Sequence, residues 1–191
     1  VYFTNAVGGI GSGIFDFIGS VFYAFVFGIA VIQADEIERG LRGTFDSAWE
    51  ETRRKSSGMI VAALGFCFLL NIAEYIGAFF GSSGEIVLLL LAAFFLIYTI
   101  PAAAIGGLPG MLAVGGSIRA VRSDIFGTAI LALAYVALFV VIAPVLATYL
   151  QAQFLPNHIV AVLVQAALEA IALGYLAFPF AKQYADVAYR V

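Results

Sequence analysis

The sequence predicts an all-α fold: a polytopic transmembrane helical bundle of five spans with a cytoplasmic amphipathic connector. Three observations predict it. Hydrophobic residues make up 63% of the 191 and charged residues 11%, against about 25% charged in an ordinary soluble domain. Mean hydropathy is +1.06. A chain of this size has too little polar surface to cover such a core in water, so lipid is its expected solvent. The apolar residues also fall into blocks close to the ~20 residues a helix needs to cross hydrocarbon. Finally, the nine Lys and Arg residues occupy only alternate connections between those blocks and the tail after the last one. The length is that of one domain, residues 1–191.

The opening residues 1–13 are rich in glycine (Gly8, Gly9, Gly11, Gly13) and are expected to be a partly helical lead-in. Residues 14–33 form the first expected span, with a single acid, Asp16, near its start. Residues 34–55 follow and hold eleven of the twenty-one charged residues. Ile37, Leu41, Phe45, Ala48 and Trp49 recur there at three- and four-residue spacing, which puts one apolar stripe on a helix. Gly40 and Gly43 interrupt it, so two short pieces joined near Gly43 are expected, with Thr44 capping the second. This is the amphipathic connector, read as a surface link beside the bundle or as a lipid-sensing interfacial helix.

Residues 58–80 form the second span, which contains Asn71 and Glu74. Gly81-Ser-Ser-Gly84 reads as a tight turn into an antiparallel third span, residues 85–105. Glu85 opens that span, and Pro101, which cannot donate to the carbonyl of Ile97, is expected to kink it. Gly106-Gly-Leu-Pro-Gly110 breaks the pattern, and Pro109 is suited to the first position of a short helix running to Ser123. Residues 125–150 are the fourth span, with Pro144 near its far end. Residues 151–157 are an uncharged turn, residues 158–181 the fifth span, and 182–191 a polar tail.

Five basic residues lie in the first connection, among them Arg53, Arg54 and Lys55. Two, Arg119 and Arg122, follow the third span, and two follow the fifth, while the turns at 81–84 and 151–157 carry none. Basic connections face the cytoplasm. The expected topology is therefore a multi-pass protein of a plasma membrane, with residue 1 outside and the C-terminus inside.

The acids within apolar runs are the candidate intramembrane polar site: Glu74, Glu169, Asn71, Gln165 and Asp16. Glu169 lies eleven residues past His158, or about 16 Å along a helix, near the middle of a ~30 Å hydrocarbon layer. Glu74 lies about 9 Å from the outer end of its span by the same rise per residue. No Lys or Arg lies inside a span, so at least Glu169 is expected to take a proton rather than stay charged. Gln165 stands one turn before Glu169 and Asn71 three residues before Glu74, and Tyr98, Tyr135 and Tyr175 are further hydrogen-bonding candidates. Two readings stand side by side: a proton or cation path open to the outside, and neutral carboxylic acids that tie helices together.

Motifs for chemistry are missing. There is one histidine, His158, and no His-Glu-x-x-His, Gly-x-Ser-x-Gly or Gly-Lys-Ser/Thr sequence. No cofactor or metal is expected. Cys67 is the single cysteine, so no internal disulfide forms. No basic face with interleaved aromatics suggests nucleic acid. Expected partners are membrane lipids, and then a membrane-protein partner or a second copy of the chain.

Several short stretches carry a resemblance: Tyr2-Phe3-Thr4-Asn5-Ala6; Arg42-Gly-Thr-Phe-Asp-Ser-Ala-Trp49; Arg53-Arg54; Asn71-Ile-Ala-Glu74; Ile100-Pro101; Gly107-Leu-Pro109; and Gly116-Ser-Ile-Arg-Ala-Val-Arg-Ser-Asp124 before Phe126-Gly127-Thr128. On these the chain resembles a broad group of uncharacterised prokaryotic multi-pass membrane proteins. It is distantly similar to the membrane domain attached to some glycerophosphodiester phosphodiesterases. The resemblance implies an all-helical membrane bundle with one further span before Val1. The start at Val1, without Met or a signal peptide, separately leads to the expectation of a processed or partial version of a longer protein. The catalytic domain of those enzymes has no counterpart here, so no activity comes with the likeness.

The function expected is that of a non-catalytic integral membrane protein: a scaffold, helper or lipid-binding component. The alternatives are a small proton- or cation-linked transporter or channel using the intramembrane acids, and then an intramembrane enzyme.

Overall fold

The structure, a computed structural model, describes residues 2–142, 145–146, 148–149 and 158–188. Every regular element among them is helical. In chain order they are α1 (Tyr2–Glu38), α2 (Phe45–Ala78), α3 (Gly81–Leu96), α4 (Thr99–Ala104), α5 (Met111–Ser123), α6 (Ile125–Val136), a π-helical stretch (Ala137–Ile142) and α7 (His158–Ala188). Three stretches are long and apolar enough to cross a membrane: Phe17–Glu38, Phe45–Ala78 and Gly81–Ala104, the last being the α3–α4 pair.

The interior is built from small residues. Ala34, Ala48, Ala62, Ala63, Ala102 and Ala104 are all at most 1% exposed. The bulky apolar side chains point outward instead: Phe79, Phe80 and Phe126 are 75, 73 and 86% exposed. Small residues let helix backbones approach closely, the packing by which helices associate when no water remains to drive them together. The larger side chains at the centre, Tyr98, Met59, Val31 and Phe180, are buried where α1, α2, α4 and α7 meet. Phe180 packs edge-on against both Phe27 and Tyr98.

The expected connector is not an element of its own. α1 runs on to Glu38, so Asp35, Glu36 and Glu38 belong to its last turns. The chain turns over residues 39–44, where Gly40 and Gly43 take φ of +75° and +53°, a region that favours glycine. Thr44 then caps α2 by accepting from the Ser47 N–H at 3.2 Å. From Phe45, α2 is one rod through to Ala78, joining the second half of the connector to the second span. The helical period of residues 45–55 therefore continues into the apolar run that follows, with no breaker between them. Arg53, Arg54 and Lys55 stand within this rod, away from any helix end.

Other boundaries also move. The α2–α3 turn lies at Phe79 and Phe80, and residues 81–84 are already the first turn of α3. The reason is close approach: a Cβ on Gly77 would lie 2.5 Å from Glu85 Cα, so two glycine-bearing helices meet almost backbone to backbone. Pro109 precedes the helix instead of opening it. Gly110, at φ +55°, is the cap of α5, and its N–H donates to the Gly58 carbonyl at 3.1 Å. Residues 182–188 of the expected polar tail are the end of α7, in which Tyr184 and Val187 are buried against the bundle. Of the expected fourth span, α6 and the π-helical stretch are described up to Ile142. Pro144 and the turn 151–157 lie outside the described residues.

Candidate functional site

The break in the third span organises what the structure places around it. Pro101 has no N–H to give to Ile97, and the chain turns at Ile97 and Tyr98 before α4 begins. Ser117 of α5 fills the gap. Its hydroxyl accepts from the Tyr98 N–H at 3.0 Å and donates to the Phe95 carbonyl at 2.8 Å. A single hydroxyl, fully buried, thus satisfies one donor and one acceptor that the broken helix leaves open. The Tyr98 and Thr128 hydroxyls meet at 3.2 Å. Thr128 in turn donates to the Asp124 carbonyl at 2.6 Å. Asp124 caps α6 through the Gly127 N–H at 2.9 Å and accepts from Gln183 Nε2 of α7 at 3.2 Å.

These bonds hold α5 crosswise. Its first turn sits beside α2, where Met111 lies against Gly65. Its middle enters the α3–α4 break, and its last turn reaches α6 and α7. Ala113, Gly116, Ser117, Ala120 and Val121 form the buried face of small residues, while Arg119 and Arg122 are exposed on the other. Sequence reasoning placed the two arginines but missed Ser117, whose only signal is a small hydroxyl among small residues opposite a proline-broken span.

Basic residues of the first connection and of α5 lie at one end of the bundle. Lys55 of α2 donates to the Ala104 carbonyl at 2.8 Å, closing the C-terminus of α4, and pairs with Glu51 at 2.9 Å. Arg54 pairs with the same carboxylate. Arg53 and Arg122 are exposed. Arg39 and Arg119 line one cleft of about 430 Å³, together with Ile105, Leu108, Tyr184 and Val187. Arg39 also pairs with Asp35 at 2.8 Å. Among the described residues Arg119 has no ion pair. Among the described residues no carboxylate is part of the cleft lining.

Of the expected intramembrane polar residues, the side chains of Glu74 and Asn71 are described. Glu74 and Asn71 are exposed on the outer surface of α2, and Asn71 donates back to the Cys67 carbonyl at 2.8 Å. They line neither the basic cleft nor a second, apolar cavity of about 250 Å³ between the π-helical stretch and α7, walled by Leu138, Ile142, Leu168 and Tyr175. The side chains of Asp16, Gln165 and Glu169 lie outside the described residues. So does that of His158. Cys67 is buried and in no disulfide.

Comparison with protein-family models, with curated proteins and with solved structures finds no match.

Proposed function

We propose that the chain is a non-catalytic integral membrane protein that serves as a scaffold or lipid-binding component. It crosses a plasma membrane five times with its basic end in the cytoplasm. The observation that carries the reading is the exposed apolar surface of the bundle: many phenylalanine, leucine, isoleucine and valine side chains face outward around an alanine-rich interior. A monomer in water rarely exposes apolar area on that scale, whereas hydrocarbon welcomes it. The spans at 14–33, 58–80 and 85–105 correspond to the three long apolar helices. Those at 125–150 and 158–181 rest on the sequence, with an apolar α6 and a 31-residue α7 in their support.

The basic end supports the orientation. It gathers Arg39, Lys55 and Arg119 around one set of loops, the asymmetry that retains a loop on the cytoplasmic side. Phe45 and Trp49 stack at that end, ring centroids 6.2 Å apart, and both are exposed. Aromatic rings of this kind settle at headgroup depth. Membership of the group the sequence resembles is part of the same proposal.

The test is single-cysteine labelling in a Cys67→Ala background with a membrane-impermeant maleimide. Ser82→Cys and Gln153→Cys are expected to label in intact cells, and Asp46→Cys and Asp186→Cys only after lysis. The reverse pattern would overturn the orientation. For the role, purified protein in liposomes is expected to carry no proton or cation flux. Flux that disappears in Glu74→Gln or Glu169→Gln would replace this reading with a transporter.

A further inference from the structure

In the basic cleft charge, shape and an apolar wall coincide. Four segments build it: the end of α1, the loop 105–108, the middle of α5 and the last two turns of α7. Two glycines, Gly106 and Gly116, are part of its lining. A Cβ on Gly106 would lie 2.3 Å from Tyr184 Oη, and a Cβ on Gly116 would lie 2.5 Å from Leu108 Cδ1. Glycine at both positions lets loop and helix close beneath the cleft. Arg119 rises from the exposed face of α5, and Arg39 from the turn after α1, held by Asp35. Ile105, Leu108 and Val187 supply an apolar wall beside the two guanidinium groups.

We propose that this cleft binds a phosphate group carried by an anionic membrane lipid, with Arg39 and Arg119 as its two anchors. Guanidinium groups offer paired donors in a plane that matches two phosphate oxygens. A volume near 430 Å³ falls within the ~300–1,000 Å³ range of small-molecule sites. It admits a phosphoglycerol headgroup and leaves the acyl chains to run outward over the apolar wall. Basic pockets between helices on the cytoplasmic side are where such headgroups are held. Asp35 pairs with Arg39 and offsets its charge, Arg119 has no ion pair among the described residues, and Asp186, on an exposed part of α7, is outside the lining.

The inference rests on the membrane reading above, with the basic end at the lipid–water boundary. It predicts that the purified full chain in detergent retains phosphatidylglycerol over phosphatidylcholine in native mass spectrometry, and is thermally stabilised by it. Arg119→Gln and Arg39→Gln each weaken that binding tenfold or more. Arg119→Lys, which keeps the charge and loses the fork, falls between. Arg122→Gln, on the same helix but outside the cleft, binds as the wild type does. Circular dichroism confirms that each variant is folded. Inorganic phosphate stabilising the wild type as strongly as the lipid does, with the same dependence on Arg119, would keep the phosphate site and overturn the lipid as its source. Equal retention of both lipids, or equal loss in Arg122→Gln and Arg119→Gln, would overturn the site. Labelling of Asp46→Cys from outside, with the Arg119 dependence intact, would remove the orientation and leave the cleft.

Discussion

Ser117→Ala removes one oxygen atom from the interior and strands two backbone groups. In the native chain the hydroxyl accepts from the Tyr98 N–H at 3.0 Å and donates to the Phe95 carbonyl at 2.8 Å, with no exposure to solvent. Alanine fills nearly the same volume, so no cavity term of consequence arises. The loss is that of an unpaired buried donor, about 1–3 kcal/mol. The stranded carbonyl adds less, because a second lone pair remains to it. The helix cannot recover by closing the break, since Pro101 still has no N–H for the Ile97 carbonyl. Hydrogen bonds measured inside membrane proteins average only ~0.6 kcal/mol and reach ~1.7, because the unfolded chain in the membrane also finds partners. An expected loss of about 2 kcal/mol, a factor of up to about 30 in the folded-to-unfolded ratio, follows from weighing these together. The assay is reversible unfolding in mixed micelles with rising dodecyl sulfate, read by circular dichroism. A variant within ~0.5 kcal/mol of the wild type, the range of ordinary surface substitutions, would refute the assignment of Ser117 as the cap of the broken span.

Thr99 supplies the converse case. Its hydroxyl is fully buried and has no hydrogen-bond partner among the described residues, so Thr99→Val is expected to stabilise by about 1 kcal/mol in the same unfolding assay. Gly77→Ala puts a methyl 2.5 Å from the Glu85 backbone, and forcing α2 and α3 apart is expected to cost about 1–3 kcal/mol. Gly115→Ala, where nothing lies within 4 Å, should gain about 0.4–1 kcal/mol through the unfolded chain. Asp124→Ala removes both the cap of α6 and the tie to Gln183. A loss of about 1–2 kcal/mol is expected, with Asp124→Asn recovering most of it, since the amide oxygen still accepts from Gly127.

The positions of the long apolar helices were legible because lipid imposes a simple rule: about 20 apolar residues make a span. The break near Pro101 was legible for an equally local reason, the missing N–H. Thr44 as a cap was legible too, since a hydroxyl before an amphipathic run accepts from the first free N–H groups. The ends of helices were less legible. Residues 45–55 and 182–188 are polar, and polarity reads as a connection. A helix extends past the apolar core whenever its backbone bonds continue unbroken, and neither segment contains a proline or glycine to stop it. The candidate site was least legible of all. Glu74 and Glu169 draw attention because a carboxylate in an apolar run is costly. Arg39 and Arg119 are ordinary charges between apolar blocks in the sequence.

The chain by itself determined that this is an all-helical protein whose long apolar segments prefer lipid, and that its basic residues fall in alternate connections. Those properties depend on residue type and on spacing along one chain. Only the tertiary structure decided that α5 crosses the bundle, that Ser117 repairs the break beside Tyr98, and that Arg39 and Arg119, eighty residues apart, share a cleft lined in part by Gly106 and Gly116. Such pairings depend on which helix faces which, and that is set by where small residues let backbones approach. No local periodicity records it.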